Sequence, residues 1–99
     1  MKRRIAILGS TGSIGTTLLN VINKNKTDFD IVLLSANTDY KKLLIQAKKF
    51  KAKNLVINDK KSFDILKIKT QNTNIKVFNN FKNFNKIFNK KIDYTMSSI

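Results

Sequence analysis

Residues 5–15 read Ile-Ala-Ile-Leu-Gly-Ser-Thr-Gly-Ser-Ile-Gly, and this stretch decides the fold. Its first four residues form an apolar run that predicts a strand buried on both faces. Three glycines follow at intervals of three, Gly9, Gly12 and Gly15, and apolar residues at helical spacing continue directly after them. A buried strand, such a glycine loop and a helix, in that order, predict the opening of a nucleotide-binding α/β unit.

Each glycine has an expected role in this unit. Gly9 permits a tight turn at the end of the strand, Gly12 lets the backbone approach a pyrophosphate, and Gly15 lets the helix pack closely against the strand. The first-turn N–H groups of the helix are unpaired and, with the helix dipole, attract an anion. Hydroxyl side chains in the loop are expected to add further donors: Ser10, Thr11 and Ser13. The spacing differs from Gly-x-x-x-x-Gly-Lys-Ser/Thr, which disfavours a P-loop NTPase.

The rest of the chain alternates apolar runs with helical periodicities, as βαβ units do. Further strands are expected at residues 31–34, 55–57, 75–78 and 94–96. Helices are expected to begin after Thr38 or Asp39, after Asp59 or Ser62, and after Asn79 or Asn80. We therefore predict an α/β fold, a Rossmann-like parallel sheet with helices on both faces. The last strand ends with the chain and no closing helix follows, so residues 1–99 are expected to form a truncated domain.

The amino-acid composition excludes several kinds of site. A chain of 99 residues with 41% apolar residues is one small domain. It lacks cysteine, histidine and glutamate, which excludes disulfides and thiolate metal sites. No apolar run is long enough to span a bilayer, and the first strand begins too early for a leader to precede it. We expect a cytoplasmic protein with no membrane partner.

The formal net charge of +14 raises the alternative of a basic nucleic-acid-binding module. The lysines are scattered, however, and form no compact cluster interleaved with aromatic residues. Abundant Lys, Asn, Ile and Phe also match the codons of an AT-rich genome. We therefore expect no nucleic-acid partner, and we interpret the phenylalanines of residues 81–88 as core residues.

The end of the second strand bears on the choice of cofactor. An acidic residue there binds the ribose hydroxyls of NAD, whereas donors and cations suit the 2′-phosphate of NADP. Asn37 and Thr38 are donors, and Lys41 and Lys42 are close in sequence. Asp39 opposes this preference if it faces the ribose, but as a helix N-cap it would face away. These residues favour NADPH.

The stretch from residue 7 to residue 15 resembles the amino terminus of the 1-deoxy-D-xylulose 5-phosphate reductoisomerase family. Residues 31–36 resemble its second strand, and residues 94–99, Tyr-Thr-Met-Ser-Ser-Ile, resemble a strand that precedes a Val-Gly-x-x-Gly segment there. The chain departs from the family at Asn37, where glycine is usual, and at Asp39, where asparagine is usual.

The resemblance implies an NADPH-dependent enzyme that rearranges and reduces 1-deoxy-D-xylulose 5-phosphate, a phosphorylated sugar, to 2-C-methyl-D-erythritol 4-phosphate in isoprenoid precursor synthesis. It also implies a homodimer and a divalent cation, Mg²⁺ or Mn²⁺, whose ligands lie further along the family's chain. No catalytic and no metal-binding residue is therefore expected within residues 1–99. The candidate cofactor-binding residues are Gly9, Ser10, Thr11, Gly12, Ser13, Ile14, Gly15, Asn37, Thr38 and Asp39.

Other Rossmann-type enzymes remain alternatives. An extended short-chain dehydrogenase/epimerase would carry a Tyr-x-x-x-Lys pair downstream, and an aspartate-semialdehyde dehydrogenase would carry a catalytic cysteine.

Overall fold

A five-stranded parallel sheet forms the centre of the structure, a computed structural model that describes residues 3–25, 28–80 and 92–97. Its elements are β1 (Arg3–Leu8), α1 (Ser13–Lys24), β2 (Phe29–Ala36), α2 (Tyr40–Phe50), β3 (Asn54–Ile57), α3 (Lys60–Lys69), β4 (Lys76–Phe78) and β5 (Tyr94–Ser97). The five predicted strands and the first three predicted helices are confirmed. The helix predicted after Asn79 or Asn80 falls in residues 81–91, outside the described residues.

The order of the strands places a binding edge beside β1. The order is β4-β3-β2-β1-β5, and all neighbouring strands are parallel. The chain steps outward from β1 to β4 and then places β5 on the other side of β1. Open α/β sheets bind ligands at the carboxyl ends of their strands, where the strand order reverses. That point adjoins the segment after β1, residues 9–15, which we name the glycine loop.

Both faces of the sheet are apolar, as the continuous apolar runs predict. On one face, Ile5 and Ile7 pack in a single cluster with Leu19 of α1, Leu43 of α2 and Leu66 of α3. Burying one leucine of this kind contributes about 1.5–3 kcal/mol, so this face anchors all three described helices. The opposite face carries a smaller cluster of fully buried residues, Ala6, Leu33 and Val56.

Helix α1 buries only some of its apolar residues. Leu19 and Ile22 are buried, but Ile14 and Val21 are 62% and 55% exposed. The apolar positions of this helix span more of its circumference than one sheet face covers. Ile14 therefore lies at the surface of the glycine loop.

Strand β2 contains a bulge that the sequence does not predict. Ile5 pairs with Ile31 and the next residue, Ala6, pairs with Leu33, so Val32 is an extra residue on β2. The side-chain amide of Asn54 donates a hydrogen bond to the Val32 carbonyl at 2.9 Å. Because a one-residue shift changes the face of every later side chain, this bulge sets which residues of the end of β2 reach the glycine loop.

Candidate functional site

The first and third glycines have the roles that the sequence predicts. Gly9 has a φ of 74°, in the left-handed region that favours glycine. The Gly12 N–H donates to the Gly9 carbonyl at 3.3 Å and closes the turn. A Cβ on Gly15 would lie 2.6 Å from the Ser10 Cα and 2.8 Å from the Ser10 carbonyl carbon. Glycine is therefore required at residue 15 for α1 to pack against the loop.

Gly12 is different, because the protein around it does not require a glycine. Its φ of −76° and ψ of 176° are open to any residue. Among the described residues other than its chain neighbours, a Cβ there would meet only the Gly9 carbonyl oxygen, at an ordinary contact distance of 3.6 Å. The described residues thus leave the Cβ position of Gly12 open.

The N-terminus of α1 is uncapped, unlike those of the other two described helices. Gly12 is its N-cap and supplies no side-chain acceptor. The first α-helical bond runs from the Thr16 N–H to the Gly12 carbonyl at 2.9 Å, so the amides of Ser13, Ile14 and Gly15 precede it. Such first-turn amides, with the helix dipole, form an anion site.

The hydroxyl of Ser10 does not have the outward orientation that its predicted role as a donor to the cofactor requires. Ser10 is fully buried, and its Oγ donates to Gln46 Oε1 at 2.8 Å and lies 3.3 Å from the Ser35 carbonyl. The Ser10 N–H also donates to the Ser35 carbonyl, at 2.8 Å. Both donors of Ser10 point inward, because the turn at Gly9 directs this residue towards β2 and α2. Ser10 holds the loop rather than facing outward from it.

Two side chains that the site prediction did not include complete this network. Gln46 of α2 donates from Nε2 to the Ser10 carbonyl at 2.9 Å, and Ser35 of β2 accepts at Oγ from the Gly9 N–H at 3.0 Å. We name the set of Ser10, Ser35 and Gln46 the loop anchor. One feature of the sequence indicates the loop anchor: a glutamine lies on the apolar face of α2, between the buried Leu43 and Ala47.

Replacing Gln46 with leucine should lower the free energy of unfolding by about 2–4 kcal/mol. The change removes the Gln46 donor to the buried Ser10 carbonyl and the nearer of the two acceptors of the Ser10 hydroxyl, and an unsatisfied buried group costs about 1–3 kcal/mol. Urea denaturation followed by circular dichroism measures the effect. The matched control is Gln71→Leu, at an exposed residue whose side chain makes no hydrogen bond within the described residues. Equal stability of the two variants would contradict the assigned role of Gln46.

The turn between β2 and α2 presents the second group of predicted residues. Asn37, Thr38 and Asp39 are all exposed. Asp39 is the N-cap of α2, and its Oδ1 accepts from the Lys42 N–H at 3.1 Å. The predicted capping role of Asp39 is confirmed, so its carboxylate is directed at its own helix.

The turn between β3 and α3 is hydrogen-bonded to the turn between β2 and α2. The Asp59 N–H donates to the Asn37 carbonyl at 3.0 Å. Asp59 is itself the N-cap of α3 and accepts at Oδ2 from both the hydroxyl and the N–H of Ser62, at 2.7 and 2.9 Å. These two hydrogen bonds hold the pKa of the Asp59 carboxyl below its ordinary value. The cap therefore stays charged at neutral pH and fixes the turn that carries Asn37.

Lys42 joins the two groups of predicted residues. Its Nζ donates to the Thr11 carbonyl in the glycine loop at 2.9 Å. Lys42 is half-buried, whereas its neighbour Lys41 is exposed. The sequence does not distinguish the two lysines, but in the structure Lys42 contacts the glycine loop and Lys41 is exposed.

The chain is similar to known proteins in both sequence and fold. A family model described as 1-deoxy-D-xylulose 5-phosphate reductoisomerase matches residues 5–99. The chain belongs to this family. The reductoisomerase of Pelagibacter ubique is 50% identical over 99 residues, which are 98% of this chain and 26% of that protein. The reductoisomerase of Porphyromonas gingivalis is 40% identical over 78 residues, 79% of this chain and 20% of that protein.

Solved reductoisomerase structures have the same fold. The Zymomonas mobilis reductoisomerase in complex with NADPH matches with a TM-score of 0.87 and 29% identity, over 100% of this chain and 26% of that one. A second reductoisomerase structure matches at a TM-score of 0.86 with 23% identity, over 98% of this chain and 24% of that one, and supports the fold. The chain thus spans about a quarter, or less, of the length of the reductoisomerases that it matches.

Within residues 3–25, 28–80 and 92–97, no three Asp, Glu, His or Cys side chains gather as metal ligands would. None of the helices described here is long and apolar enough to cross a membrane.

Proposed function

We propose that this chain supplies the NADPH-binding part of a reductoisomerase that converts 1-deoxy-D-xylulose 5-phosphate to 2-C-methyl-D-erythritol 4-phosphate. The observation that carries the proposal is the uncapped first turn of α1 after Gly12. Among the described residues other than its chain neighbours, an added Cβ at Gly12 would meet only the Gly9 carbonyl oxygen, at 3.6 Å. Family membership over residues 5–99 supports it, and so does the NADPH complex of the Zymomonas mobilis relative.

The residues of this chain fit the dinucleotide in two places. The amides of Ser13, Ile14 and Gly15 would hold the pyrophosphate, and Thr11 and Gly12 would border it. Gly9 shapes this turn, while Ser10 supports it from inside. The exposed turn of Asn37, Thr38 and Asp39 would border the adenosine ribose, as the end of the second strand does in this fold.

When bound, NADPH supplies a hydride for the reduction. The described residues bind and orient the dinucleotide at the edge of the sheet where the strand order reverses. The divalent cation, the phosphorylated sugar site, the homodimer and the cytoplasmic location remain predictions from the sequence and its resemblance. The proposal for this chain's own residues concerns the dinucleotide alone.

Two experiments test the proposal. In the first, the full chain is titrated with NADPH and binding is followed by nicotinamide fluorescence, while circular dichroism verifies the folded state. We expect saturable binding. In the second, residues 1–99 replace the matching residues of the Pelagibacter ubique enzyme, and the resulting graft is assayed for substrate-dependent oxidation of NADPH. A folded chain that ignores NADPH, together with an inactive but folded graft, would contradict the proposal.

A further inference from the structure

We propose that Lys42 selects the phosphorylated dinucleotide by pairing its ammonium with the 2′-phosphate of the adenosine ribose. This inference rests on the proposed function and deepens it, because it names a specificity-determining residue. The candidate residues taken from the family resemblance do not include Lys42. The observation behind it is the hydrogen bond from Lys42 Nζ to the Thr11 carbonyl at 2.9 Å.

The position of the ammonium is fixed. The loop anchor holds Ser10, the residue before Thr11, by four hydrogen bonds of 2.8–3.3 Å. The backbone of Lys42 is held as well, because its N–H donates to the capping carboxylate of Asp39 at 3.1 Å. The side chain therefore bridges the start of α2 and the glycine loop, with its charge at the loop.

The charge of Lys42 is not neutralised by the described protein. The one ion pair within residues 3–25, 28–80 and 92–97 joins Lys60 to Asp64. An ammonium carries three donors, and the carbonyl of Thr11 occupies one. A half-buried cation with donors to spare and no carboxylate partner is suited to bind an anion.

The backbone position of Lys42 favours the ribose phosphate over the pyrophosphate as the partner of its ammonium. The pyrophosphate belongs to the first turn of α1, whereas Lys42 lies in the first turn of α2, which begins at Tyr40, after the turn that follows β2. In this fold, a cation beside the end of the second strand accommodates the 2′-phosphate. Thr38 and Asp39 supply no cation at that turn, so Lys42 provides the positive charge from one helical turn further along.

Titrations of four proteins with NADPH and NADH test the inference: the unmodified chain, Lys42→Met, Lys42→Arg and Lys41→Met. Methionine keeps the length of the stem and removes the charge, and Lys41→Met makes the same change at an exposed neighbour. We expect Lys42→Met to weaken NADPH binding about tenfold or more, the usual effect of one charge-assisted hydrogen bond. NADH binding should change less than about twofold, since it lacks the phosphate. Lys42→Arg should retain the preference and Lys41→Met should match the unmodified chain.

In the graft, Lys42→Met should raise KM for NADPH and leave kcat unchanged. Equal losses for NADPH and NADH would overturn the inference, because they would place the ammonium on the pyrophosphate or give Lys42 a merely structural role. Unchanged NADPH binding in Lys42→Met would also overturn it and leave the proposed function intact. If the folded, unmodified chain and the graft bind neither dinucleotide, the proposed function itself fails.

Discussion

Gly15→Ala should destabilise the fold by about 3 kcal/mol or more. The new Cβ would lie 2.6 Å from the Ser10 Cα and closer still to the Gly9 carbonyl oxygen. Both are backbone atoms, so no side-chain rotation relieves the overlap and α1 must move away from β1. That movement would loosen Leu19 and Ile22, which α1 buries against the sheet. Small domains are stable by only about 5–15 kcal/mol, so the loss is large.

Urea denaturation of Gly15→Ala and Gly12→Ala, followed by circular dichroism, measures this effect. Gly12→Ala is the matched control, since its Cβ would stand 3.6 Å from the nearest protein atom. We expect the free energy of unfolding of the control to lie within about 0.5 kcal/mol of that of the unmodified chain, as is usual for surface substitutions. If Gly15→Ala proved as stable as this control, the close packing of α1 on the loop would not exist in solution.

Gly12→Val should abolish dinucleotide binding and leave the fold intact. The φ of −76° at this residue is open to valine, but the branched side chain would fill the space in front of the α1 amides. Losing two charge-assisted hydrogen bonds to a pyrophosphate would weaken binding at least about a hundredfold. NADPH fluorescence titration of the variant, with its circular dichroism spectrum, measures both parts of the prediction.

The same variant separates the dinucleotide site from a general affinity for polyanions. With a net charge of +14, the chain is expected to bind DNA weakly and in a strongly salt-dependent way. Gly12→Val should leave that affinity unchanged. Retained NADPH binding in the variant, or loss of NADPH and DNA binding together in a folded protein, would count against the assigned role of Gly12.

Much of the fold follows from the sequence because two signals agree. Short apolar runs mark the strands, and glycines at intervals of three mark the link from β1 to α1. The capping residues were also predictable, since Asp39 and Asp59 precede helical periodicities and carboxylates are favoured N-caps. The bulge at Val32 was not, because the run Ile-Val-Leu-Leu at residues 31–34 has no polar alternation that would reveal a shift in register.

The candidate site was predictable in its backbone but less so in its side chains. Glycine spacing reports φ angles and close approaches, which are local properties, and Gly9 and Gly15 meet those expectations. The inward direction of Ser10 depends on partners 25 and 36 residues away. Likewise, the reach of Lys42 depends on a carbonyl 31 residues away. Tertiary contacts of this kind leave little trace in residue spacing.

The loop anchor also determines how much order the dinucleotide must impose when it binds. Because hydrogen bonds to β2 and α2 already fix Gly9 and Ser10, little conformational entropy is left for the ligand to remove from these residues. Preorganised sites convert more of their contact energy into affinity. The same buried hydroxyls and amide therefore serve both the folded state and the binding of the cofactor, so a mutation that removes one of them weakens both.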